Sequence, residues 1–537
     1  MQGQINISGN AIKLNFDYDP VLVSKARKLP GRRYEPSSKS WIVPIMHFDD
    51  VIKTFPDFKV SEEAKKTIAI QKEKENQVIN MSSAAGADME VPGLKGELMP
   101  FQKAGVQYIE KTSGHTLIAD EMGLGKTVQS LAWLQLHPEI RPAVIICPAS
   151  LKLNWRIEAE KWLEDRQENI IYVVKNGKDK IPEGAKVIII NYDLIKDRLD
   201  KLIQLVPQVV ILDESHYIKN NKAIRAKAAM QLGKQAKHVL CLSGTPFLNR
   251  PIEIWTTLIL LAPKLFPNWK YFATRYCGGY MDSFGWNVSG ASHLDELQDI
   301  LRKNIMVRRE KQQVLAELPD KQHIQVPVEI INRKEYDLAR SSFLLWLNKT
   351  YKDKKKIEAA ERAEALTRMN ALRKLSAVGK IDAAKEWISN FIETGQKLVV
   401  FGHHREVLNT VYSSFKDCAV KLTGETESEE RQEAVKKFQE DPAVKIFIAS
   451  IKAAGVGITL TAANSVLFLE IDWTPAGNDQ AEDRCHRIGQ KNAVTVWHMT
   501  GYDTFDQDMY RTVVEKRQSF DAAFSLSNKG KAGKNQC

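Results

Sequence analysis

Short apolar runs, separated by polar turns and helical stretches, recur along two long parts of the chain. In the first part the runs cover residues 143–147, 187–190, 208–212 and 238–242, and in the second they cover residues 397–401, 418–422, 444–449, 465–469 and 493–497. Continuous rather than alternating apolar runs are typical of strands buried on both faces, and such strands form parallel sheets covered by helices. The pattern therefore predicts an α/β protein with two parallel-sheet lobes.

The first 60 residues show a different pattern, with apolar and polar side chains alternating in two predicted hairpins. The first hairpin turns at Ser8-Gly9-Asn10-Ala11, and a helix is expected to begin at Asp19-Pro20. The second hairpin covers residues 31–44, and a short helix follows at residues 48–55. We therefore expect a small N-terminal α+β domain with the order ββαββα.

These patterns divide the chain of 537 residues, which is too long for a single hydrophobic core, into predicted segments. Between the two ends the composition changes from charged and helical to α/β, then to purely helical, and back to α/β. The predicted segments are a small N-terminal domain (1–60), a charged helical linker (61–93), a first lobe with a helical insertion (94–330), a helical connector (331–396), a second lobe (397–524) and a disordered basic tail (525–537).

Composition favours a polyanionic partner and an intracellular location. Lys and Arg number 77 and Asp and Glu number 66, which gives a formal net charge of +11. The six Cys show no paired spacing of the kind that binds zinc. No run of about 18 apolar residues is present, so we expect no membrane partner. We expect a cytoplasmic protein, with a nuclear location as the alternative, that acts as a monomer.

Residues 120–127, D-E-M-G-L-G-K-T, follow an apolar run and precede a helical pattern. A glycine-rich turn at a helix N-terminus presents backbone N–H groups to one point, which suits a phosphate chain. Lys126 is expected to reach the outer phosphates of ATP, and the Thr127 hydroxyl is expected to hold Mg²⁺. Asp120 departs from the general phosphate-loop pattern, which has glycine there. An ordinary turn between a strand and a helix is the alternative.

Asp213 and Glu214 directly follow the predicted strand at residues 208–212. Ligands of parallel sheets bind at the carboxyl ends of the strands, where these side chains fall. We expect Asp213 to coordinate Mg²⁺ and Glu214 to position the attacking water. Adjacent acidic residues after a strand are also common without any function.

Arg484 and Arg487 are three positions apart in the second lobe, and we expect both on one face of a helix. When the lobes close, they could stabilise charge on the phosphoryl group during its transfer. A surface helix with ion pairs is the alternative.

Taken together, these motifs resemble the Swi/Snf family of helicase-like ATPases, within helicase superfamily two, over about residues 94–510. The resemblance is carried by residues 120–127, Leu98-x-x-Phe101-Gln102, Cys147-Pro-Ala-Ser-Leu151 with Trp155, Asp213-Glu-Ser-His216 with Lys219-Asn220, Leu242-Ser-Gly-Thr-Pro246, residues 449–460, Asp472-Trp-Thr-Pro475 and residues 480–490. Thr474 departs from the asparagine that is more usual in the family. The resemblance implies two RecA-like lobes.

The resemblance also implies roles for individual residues. Gln102 would recognise adenine, and an inter-lobe brace would begin at Arg308-Arg309. The ATP contacts would come from Asp120, Gly123, Leu124, Gly125, Lys126 and Thr127, and the backbone of the tracked DNA strand would be contacted by Lys152, Ser243, Thr245 and Ser450.

The N-terminal segment carries Arg32-Arg33-Tyr34 and Lys39-Ser-Trp41 on its second hairpin. Basic residues interleaved with aromatic ones suit nucleic acid, because guanidinium groups meet phosphates and rings stack on bases. Alternatively, Tyr34 and Trp41 form the core of a tiny domain. The segment is similar to the HARP module of annealing helicases, which implies that Arg32, Arg33 and Trp41 contact DNA.

The resemblance implies a DNA-stimulated ATPase that tracks along duplex DNA, with a preference for forked or branched DNA in repair or replication. A strand-separating helicase of the same superfamily is the nearest alternative. An inactive scaffold and a polymerase-associated remodeller that displaces bound protein are further alternatives.

Overall fold

The computed structural model describes residues 3–9, 11–164, 170–244, 250–283, 285–343, 364–454 and 457–524. The chain divides into two compact units, Met1–Met81 and Ser82–Cys537, and the second unit contains both parallel sheets. Thr245 and the predicted tail at residues 525–537 lie outside the described residues. Within the described ranges, no helix is long and apolar enough to span a bilayer.

The first unit contains the predicted ββαββα order and adds a short fifth strand. Its elements are β1 (Gln4–Ser8), β2 (Ala11–Asn15), α1 (Pro20–Ala26), β3 (Arg33–Glu35), β4 (Ser40–Pro44), α2 (Phe48–Thr54), β5 (Lys59–Val60) and α3 (Glu62–Ser82). The strands are ordered β3-β4-β2-β1-β5, and only β5 joins its neighbour in parallel. Helix α1 begins where predicted, because the Asp19 carboxylate accepts hydrogen bonds from the backbone N–H groups of Val21 and Leu22.

The first lobe is built on a sheet whose described strands are all paired in parallel, in the order β14-β6-β11-β10-β7-β9-β8. The strands are β6 (His115–Ile118), β7 (Ala143–Cys147), β8 (Ile171–Val173), β9 (Val187–Asn191), β10 (Val209–Asp213), β11 (His238–Leu242) and β14 (Met306–Val307), with a separate hairpin of β12 (Tyr280–Asp282) and β13 (Gly285–Asn287). The helices are α4 (Pro100–Lys111), α5 (Lys126–Leu136), α6 (Lys152–Trp162), α7 (Ile195–Gln204), α8 (Ile224–Gln235), α9 (Trp255–Leu261), α10 (Trp269–Cys277), α11 (Leu294–Asn304) and α12 (Lys311–Val314).

The second lobe repeats this architecture with the strand order β15-β20-β19-β16-β18-β17, again paired in parallel. Its strands are β15 (Lys321–Val328), β16 (Leu398–Gly402), β17 (Ala419–Leu422), β18 (Ile446–Ser450), β19 (Ser465–Phe468) and β20 (Val494–Gly501). Its helices are α13 (Arg333–Ser341), α14 (Glu364–Gly379), α15 (Ile381–Ile392), α16 (Arg405–Ser414), α17 (Ser428–Glu440), α18 (Ile451–Ala454), α19 (Pro475–Glu482) and α20 (Phe505–Phe524).

The predicted fold class is confirmed, because both lobes are parallel sheets whose central strands are buried along their whole length. Every residue of β7, β9, β10 and β16 is buried, as the continuous apolar runs predicted. One assignment needs correction, since β15 falls within the range predicted for the first lobe but pairs with β20 of the second. Strand β15 mixes exposed and half-buried residues, unlike the fully buried central strands, because β15 lies at the edge of its sheet.

The sheet order of the first lobe brings the predicted motifs to one edge. Strand β10 ends at Asp213, its parallel neighbour β11 ends at Leu242, and β6 next to β11 ends at Ile118. The loop after β6 and the carboxylates after β10 therefore leave the same edge of the sheet.

Candidate nucleotide site between the two lobes

The loop from residue 120 to residue 125 turns tightly between β6 and α5. Gly123 and Gly125 have φ values of 87° and 77°, which glycine adopts without the steric cost that other residues incur. Helix α5 begins directly afterwards at Lys126, so its free backbone N–H groups face the loop. The Lys126 Nζ donates hydrogen bonds to the carbonyl oxygens of Asp120 (2.9 Å) and Glu121 (3.4 Å). Lys126 therefore lies across the inside of the loop, and Thr127 follows it on the first turn of α5.

Burial and nearby charges set the protonation of Lys126. Burial lowers the pKa of this ammonium group, and the negative charges of Glu214, Asp120 and Asp213 oppose that effect. Since these carboxylates surround Lys126, the loop and the predicted Mg²⁺ ligand belong to one electrostatic site.

The Asp120 side chain does not point to a nucleotide contact, which corrects the prediction for this residue. It is fully buried, and its carboxylate accepts hydrogen bonds from the backbone N–H of Arg309 (2.9 Å), from the Arg309 Nε (3.0 Å) and Nη2 (2.5 Å), and from the Gln129 Nε2 (2.9 Å). These donors occupy both oxygens, so Asp120 anchors the loop to the segment that follows β14.

Gln102 also holds the loop in place. Its Nε2 donates to the Leu124 carbonyl at 3.3 Å, and its Oε1 accepts from the Met99 backbone N–H at 3.0 Å. A Cβ atom at Gly125 would lie 2.5 Å from the Gln102 Nε2, so glycine at position 125 lets the Gln102 side chain approach the loop closely. Gln102, the residue predicted to recognise adenine, is therefore bonded to the loop of residues 120–125, which we call the phosphate loop after its predicted ligand.

Asp213 is the last residue of β10 and is only 8% exposed. Its Oδ2 accepts a hydrogen bond from the Trp155 Nε1 at 2.7 Å, and its Oδ1 accepts one from the Glu214 N–H at 2.9 Å. Burial, followed by the charge of Glu214, raises the pKa of Asp213 to about 7, against the opposing effects of Trp155 and Lys126.

Glu214 joins the first lobe to the second. Its backbone has φ 50°, a left-handed conformation that is uncommon outside glycine and is often found at functional sites. Its Oε1 accepts a hydrogen bond from the Gln480 Nε2 at 2.9 Å, and its Oε2 lies 3.3 Å from the His216 Nδ1. Burial alone would raise the pKa of Glu214, but His216 and then Lys126 and Arg484 outweigh it, so the pKa is lowered and the carboxylate is ionised at neutral pH.

The structure brings Arg484 and Arg487 to the same site, but not on a helix face as predicted. Helix α19 ends at Glu482, and both arginines lie in the turns that follow. The Arg484 Nε donates to the Gln480 carbonyl at 3.0 Å, and burial, then the charge of Arg487, lower the pKa of Arg484 to about 10. A Cβ atom at Gly123 would lie 3.2 Å from the Arg487 Cβ, so this turn packs directly on the phosphate loop.

The residues predicted to contact the tracked DNA strand do not form a single exposed surface. The Lys152 Nζ donates to the Val174 carbonyl at 2.8 Å, and Ser243 is fully buried after β11. The Ser450 Oγ accepts a hydrogen bond from the Ala453 N–H at 3.3 Å and so caps helix α18. Thr245 lies outside the described residues. The DNA role of these residues stays a prediction.

In the first unit, Arg32 and Arg33 are exposed and Tyr34 is 49% exposed. The Trp41 ring packs against the core of this unit and lies 5.3 Å from the Tyr34 ring, centre to centre. Trp41 therefore serves the small core, while Arg33 and Tyr34 remain accessible on the adjacent strand and Arg32 remains accessible just before it.

Three residues at the site had no role in the sequence analysis. Trp155 bonds Asp213, Gln480 bonds Glu214, and Lys311 bonds His486 in the turns at residues 483–487, which we call the arginine turn. Their partners are 58, 266 and 175 positions away. Trp155 and Gln480 were noted as parts of motifs, which was the available signal, but motif spacing does not identify partners.

A further group, His323, Glu482 and His498, lies close enough together to suggest a metal ion. The Glu482 carboxylate is already paired with Lys321 (3.1 Å) and Arg517 (3.4 Å), whose positive charges disfavour a divalent cation. We interpret the group as a buried ion-pair network behind the arginine turn.

Comparison with known proteins agrees with this geometry. The model of the SNF2-related domain matches residues 101–378, and that of the helicase conserved C-terminal domain matches residues 379–489. A Caenorhabditis elegans protein, "SWI/SNF-related matrix-associated actin-dependent regulator of chromatin subfamily A-like protein 1 homolog", is 33% identical over 95% of this chain and 74% of its own length. The mouse "DNA annealing helicase and endonuclease ZRANB3" is 35% identical over 79% of this chain and 40% of its own length.

A Xenopus tropicalis relative with the corresponding name is 31% identical to this chain. The chain spans about half of that relative's length, 54%. Among solved structures, the Sulfolobus solfataricus SWI2/SNF2 ATPase core in complex with dsDNA has a TM-score of 0.38 and 24% identity, covering 82% of this chain and 95% of that one. Because the SNF2-related model matches more than half of the chain and the nematode relative is covered over most of its length, the chain belongs to the SNF2-related, or Swi/Snf, family of helicase-like ATPases.

Proposed function

We propose that the protein is an ATP-driven translocase on duplex DNA that acts on forked or branched DNA, in annealing and fork remodelling during repair or replication. The observation that carries this proposal is the 2.9 Å hydrogen bond between Gln480 of the second lobe and Glu214 of the first. It supports a site made from both lobes, in which hydrolysis changes the contact between them.

In this mechanism the residues of the first lobe hold the nucleotide. Lys126 and the N–H groups at the start of α5 bind the outer phosphates, and Gln102 positions the loop and contacts adenine. Glu214, which is ionised and fixed by Gln480, orients the attacking water. Arg484 and Arg487 stabilise negative charge that develops on the transferred phosphoryl group.

The donor set suits Mg²⁺, which prefers oxygen ligands such as the Asp213 carboxylate and the Thr127 hydroxyl. The raised pKa of Asp213 supports this assignment, because a buried carboxylate beside ionised Glu214 is electrostatically unfavourable without a nearby cation. When bound, Mg²⁺ would neutralise charge on the phosphates.

The first unit is the part that we propose to select the DNA structure. The match to the Xenopus tropicalis relative extends over 95% of the chain, so it includes most of residues 1–81, whereas the match to the mouse annealing helicase covers 79%. Exposed Arg32 and Arg33 beside Tyr34 can contact phosphates and a base, and the net charge of +11 favours DNA in general. We propose a location in a bacterial or viral-host cytoplasm, with the nucleus as the alternative.

The experiment that tests the proposal is ATPase activity measured with no DNA, single-stranded, duplex and forked DNA. We expect duplex and forked DNA to stimulate turnover and Glu214→Gln to abolish it. A variant with Arg32, Arg33 and Tyr34 changed to Ala should keep duplex stimulation and lose the preference for forks. Equal turnover with and without DNA would refute the translocase.

A second experiment separates the alternatives. Displacement of a triplex-forming strand without separation of the duplex strands would support translocation. ATP-dependent separation of the two strands of a duplex, without annealing activity, would favour the strand-separating helicase. Release of a protein roadblock without either reaction would favour the remodeller.

A further inference from the structure

Lys311 is a buried lysine whose contacts lie in both lobes. It is the first residue of α12 and is only 2% exposed. Two positions earlier, Arg309 is fixed in the first lobe by Asp120, and the Lys311 N–H itself donates to the Glu121 Oε2 at 2.7 Å. The backbone of Lys311 is therefore anchored to the start of the phosphate loop.

The side chain of Lys311 extends to the second lobe. Its Nζ donates to the His486 carbonyl at 2.8 Å and lies 2.8 Å from the Asp483 Oδ1. These two partners lie on either side of Arg484, and His486 directly precedes Arg487. Lys311 thus holds the arginine turn at two points.

The contacts around Gly123 show how closely the three parts meet. A Cβ atom at Gly123 would lie 3.2 Å from the Arg487 Cβ and 3.4 Å from the Lys311 Cε. A side chain at Gly123 would therefore meet both the lysine and the arginine turn, so all three parts lie close together at this point of the loop. A displacement of the lysine would shift the arginines relative to the loop.

The buried charge makes this contact specific. A buried ammonium group is tolerated only when carboxylates and carbonyl oxygens pair with it, and here Asp483 and Glu121 (3.7 Å) supply the negative charge from opposite lobes. Lys321 also contacts Asp483, at 3.2 Å, but it lies on β15 and belongs to the second lobe. Lys311 is the one of these two lysines that joins the lobes.

We infer that Lys311 is a positioning residue for catalysis, which sets Arg484 and Arg487 against the phosphate loop when the lobes are closed and does not itself touch ATP. This inference rests on the proposed function. Loss of the lysine should misplace the arginines by a fraction of an ångström or more, and misplacements of about 1 Å can cost about 10²-fold in rate.

The test compares kcat and KM for ATP, at saturating duplex DNA, in the wild type, Lys311→Met, Arg487→Ala and the double variant. Lys311→Met should lower kcat by about 10²-fold and change KM by no more than about twofold, because the arginines act in the transition state. In the Arg487→Ala background, Lys311→Met should lower kcat by clearly less than about 10²-fold, because only Arg484 then remains to be positioned. Lys311→Arg should recover most of the activity.

The matched control is Lys380→Met. Lys380 is 1% exposed and is bonded to Leu469, Met499 and Asp506, all within the second lobe. This variant should lower the melting temperature and leave kcat within about twofold of the wild type. A purely structural role of Lys311 would give losses that multiply with those of Arg487→Ala, and that result, or an unchanged kcat, would overturn the inference.

If Lys311→Met does not melt cooperatively, Asp483→Asn replaces it in the same comparison, with the same expected result. The two proposals fail separately. A wild type without DNA-stimulated turnover refutes the translocase, whereas an active wild type with an active Lys311→Met variant refutes only the positioning role.

Discussion

Burial and the charge of Glu214 disfavour the ionised form of Asp213, so replacing Asp213 with Asn should cost the Mg²⁺-free protein less stability at alkaline pH than at acidic pH. The substitution removes the charge and keeps the shape. It also has a cost, because the carboxylate accepts from both Trp155 and the Glu214 N–H, whereas an amide has one oxygen. One buried donor loses its acceptor, which destabilises by about 1–3 kcal/mol at any pH.

The pH dependence follows from the pKa of Asp213. Its value of about 7 in the folded state exceeds the ordinary 3.8 of the unfolded state, so the folded chain binds more protons between these values. Stability is therefore lost as pH rises through this window. From pH 5 to pH 8 the loss amounts to about 2–3 kcal/mol. The lowered pKa of Glu214 acts in the opposite direction, but both proteins contain Glu214, so its contribution largely cancels in the comparison.

The assay is urea denaturation in EDTA at pH 5 and pH 8, for the wild type, Asp213→Asn and the exposed control Asp200→Asn. The difference in unfolding free energy, variant minus wild type, should be negative at pH 5 and rise by about 2–3 kcal/mol at pH 8. With Mg²⁺ and ATP the wild type should gain stability and Asp213→Asn should not. An equal difference at both pH values, or the same shift in Asp200→Asn, would refute the reasoning.

Three further predictions concern other parts of the molecule. Asp120→Ala leaves Arg309 buried without its carboxylate and should lower the free energy of unfolding by about 3–5 kcal/mol in urea denaturation, whereas Glu406→Ala, which breaks an exposed pair, should cost less than about 1 kcal/mol. Arg487→Ala should lower kcat by about 10³–10⁵-fold while DNA binding, measured by fluorescence anisotropy, stays unchanged; a loss of less than tenfold would contradict the proposed role. The logarithm of duplex affinity should fall by about 0.9 per phosphate contact for each log unit of salt, and a footprint at one base sequence would contradict a phosphate-based interface.

The fold was predictable because its pattern is local. Residues 143–147 are apolar throughout and residues 239–242 form an apolar run after His238, and the strands β7 and β11 have the predicted bounds 143–147 and 238–242. Strand β15 was not predicted, because an edge strand with two exposed Gln residues and a half-buried His lacks the apolar run that identifies buried strands. Its place in the second sheet depends on pairing with β20, which is more than 160 positions away, and no local pattern reports that.

The site was predictable only in part, for the same reason. Spacing placed Lys126, Asp213 and Glu214 at one sheet edge, since the edge follows from the strand order of α/β folds. The role of Asp120 was misjudged because its partner, Arg309, is 189 positions later in the chain. The helix predicted for Arg484 and Arg487 ends earlier, at Glu482, where Asp483 and the following residues turn toward the first lobe.

The site is electrostatically and conformationally unfavourable without its ligands, and this links nucleotide binding to the contact between lobes. Burial raises the pKa of Asp213 and lowers that of Lys126, and Glu214 adopts a left-handed backbone conformation. A cation beside Asp213 and phosphates beside Lys126 and the arginine turn would relieve the two charge imbalances together. Because Arg484 and Arg487 come from the second lobe, the phosphates are fully compensated only when the lobes meet. We therefore expect ATP to favour the closed arrangement, and the loss of the outer phosphate on hydrolysis to remove that preference.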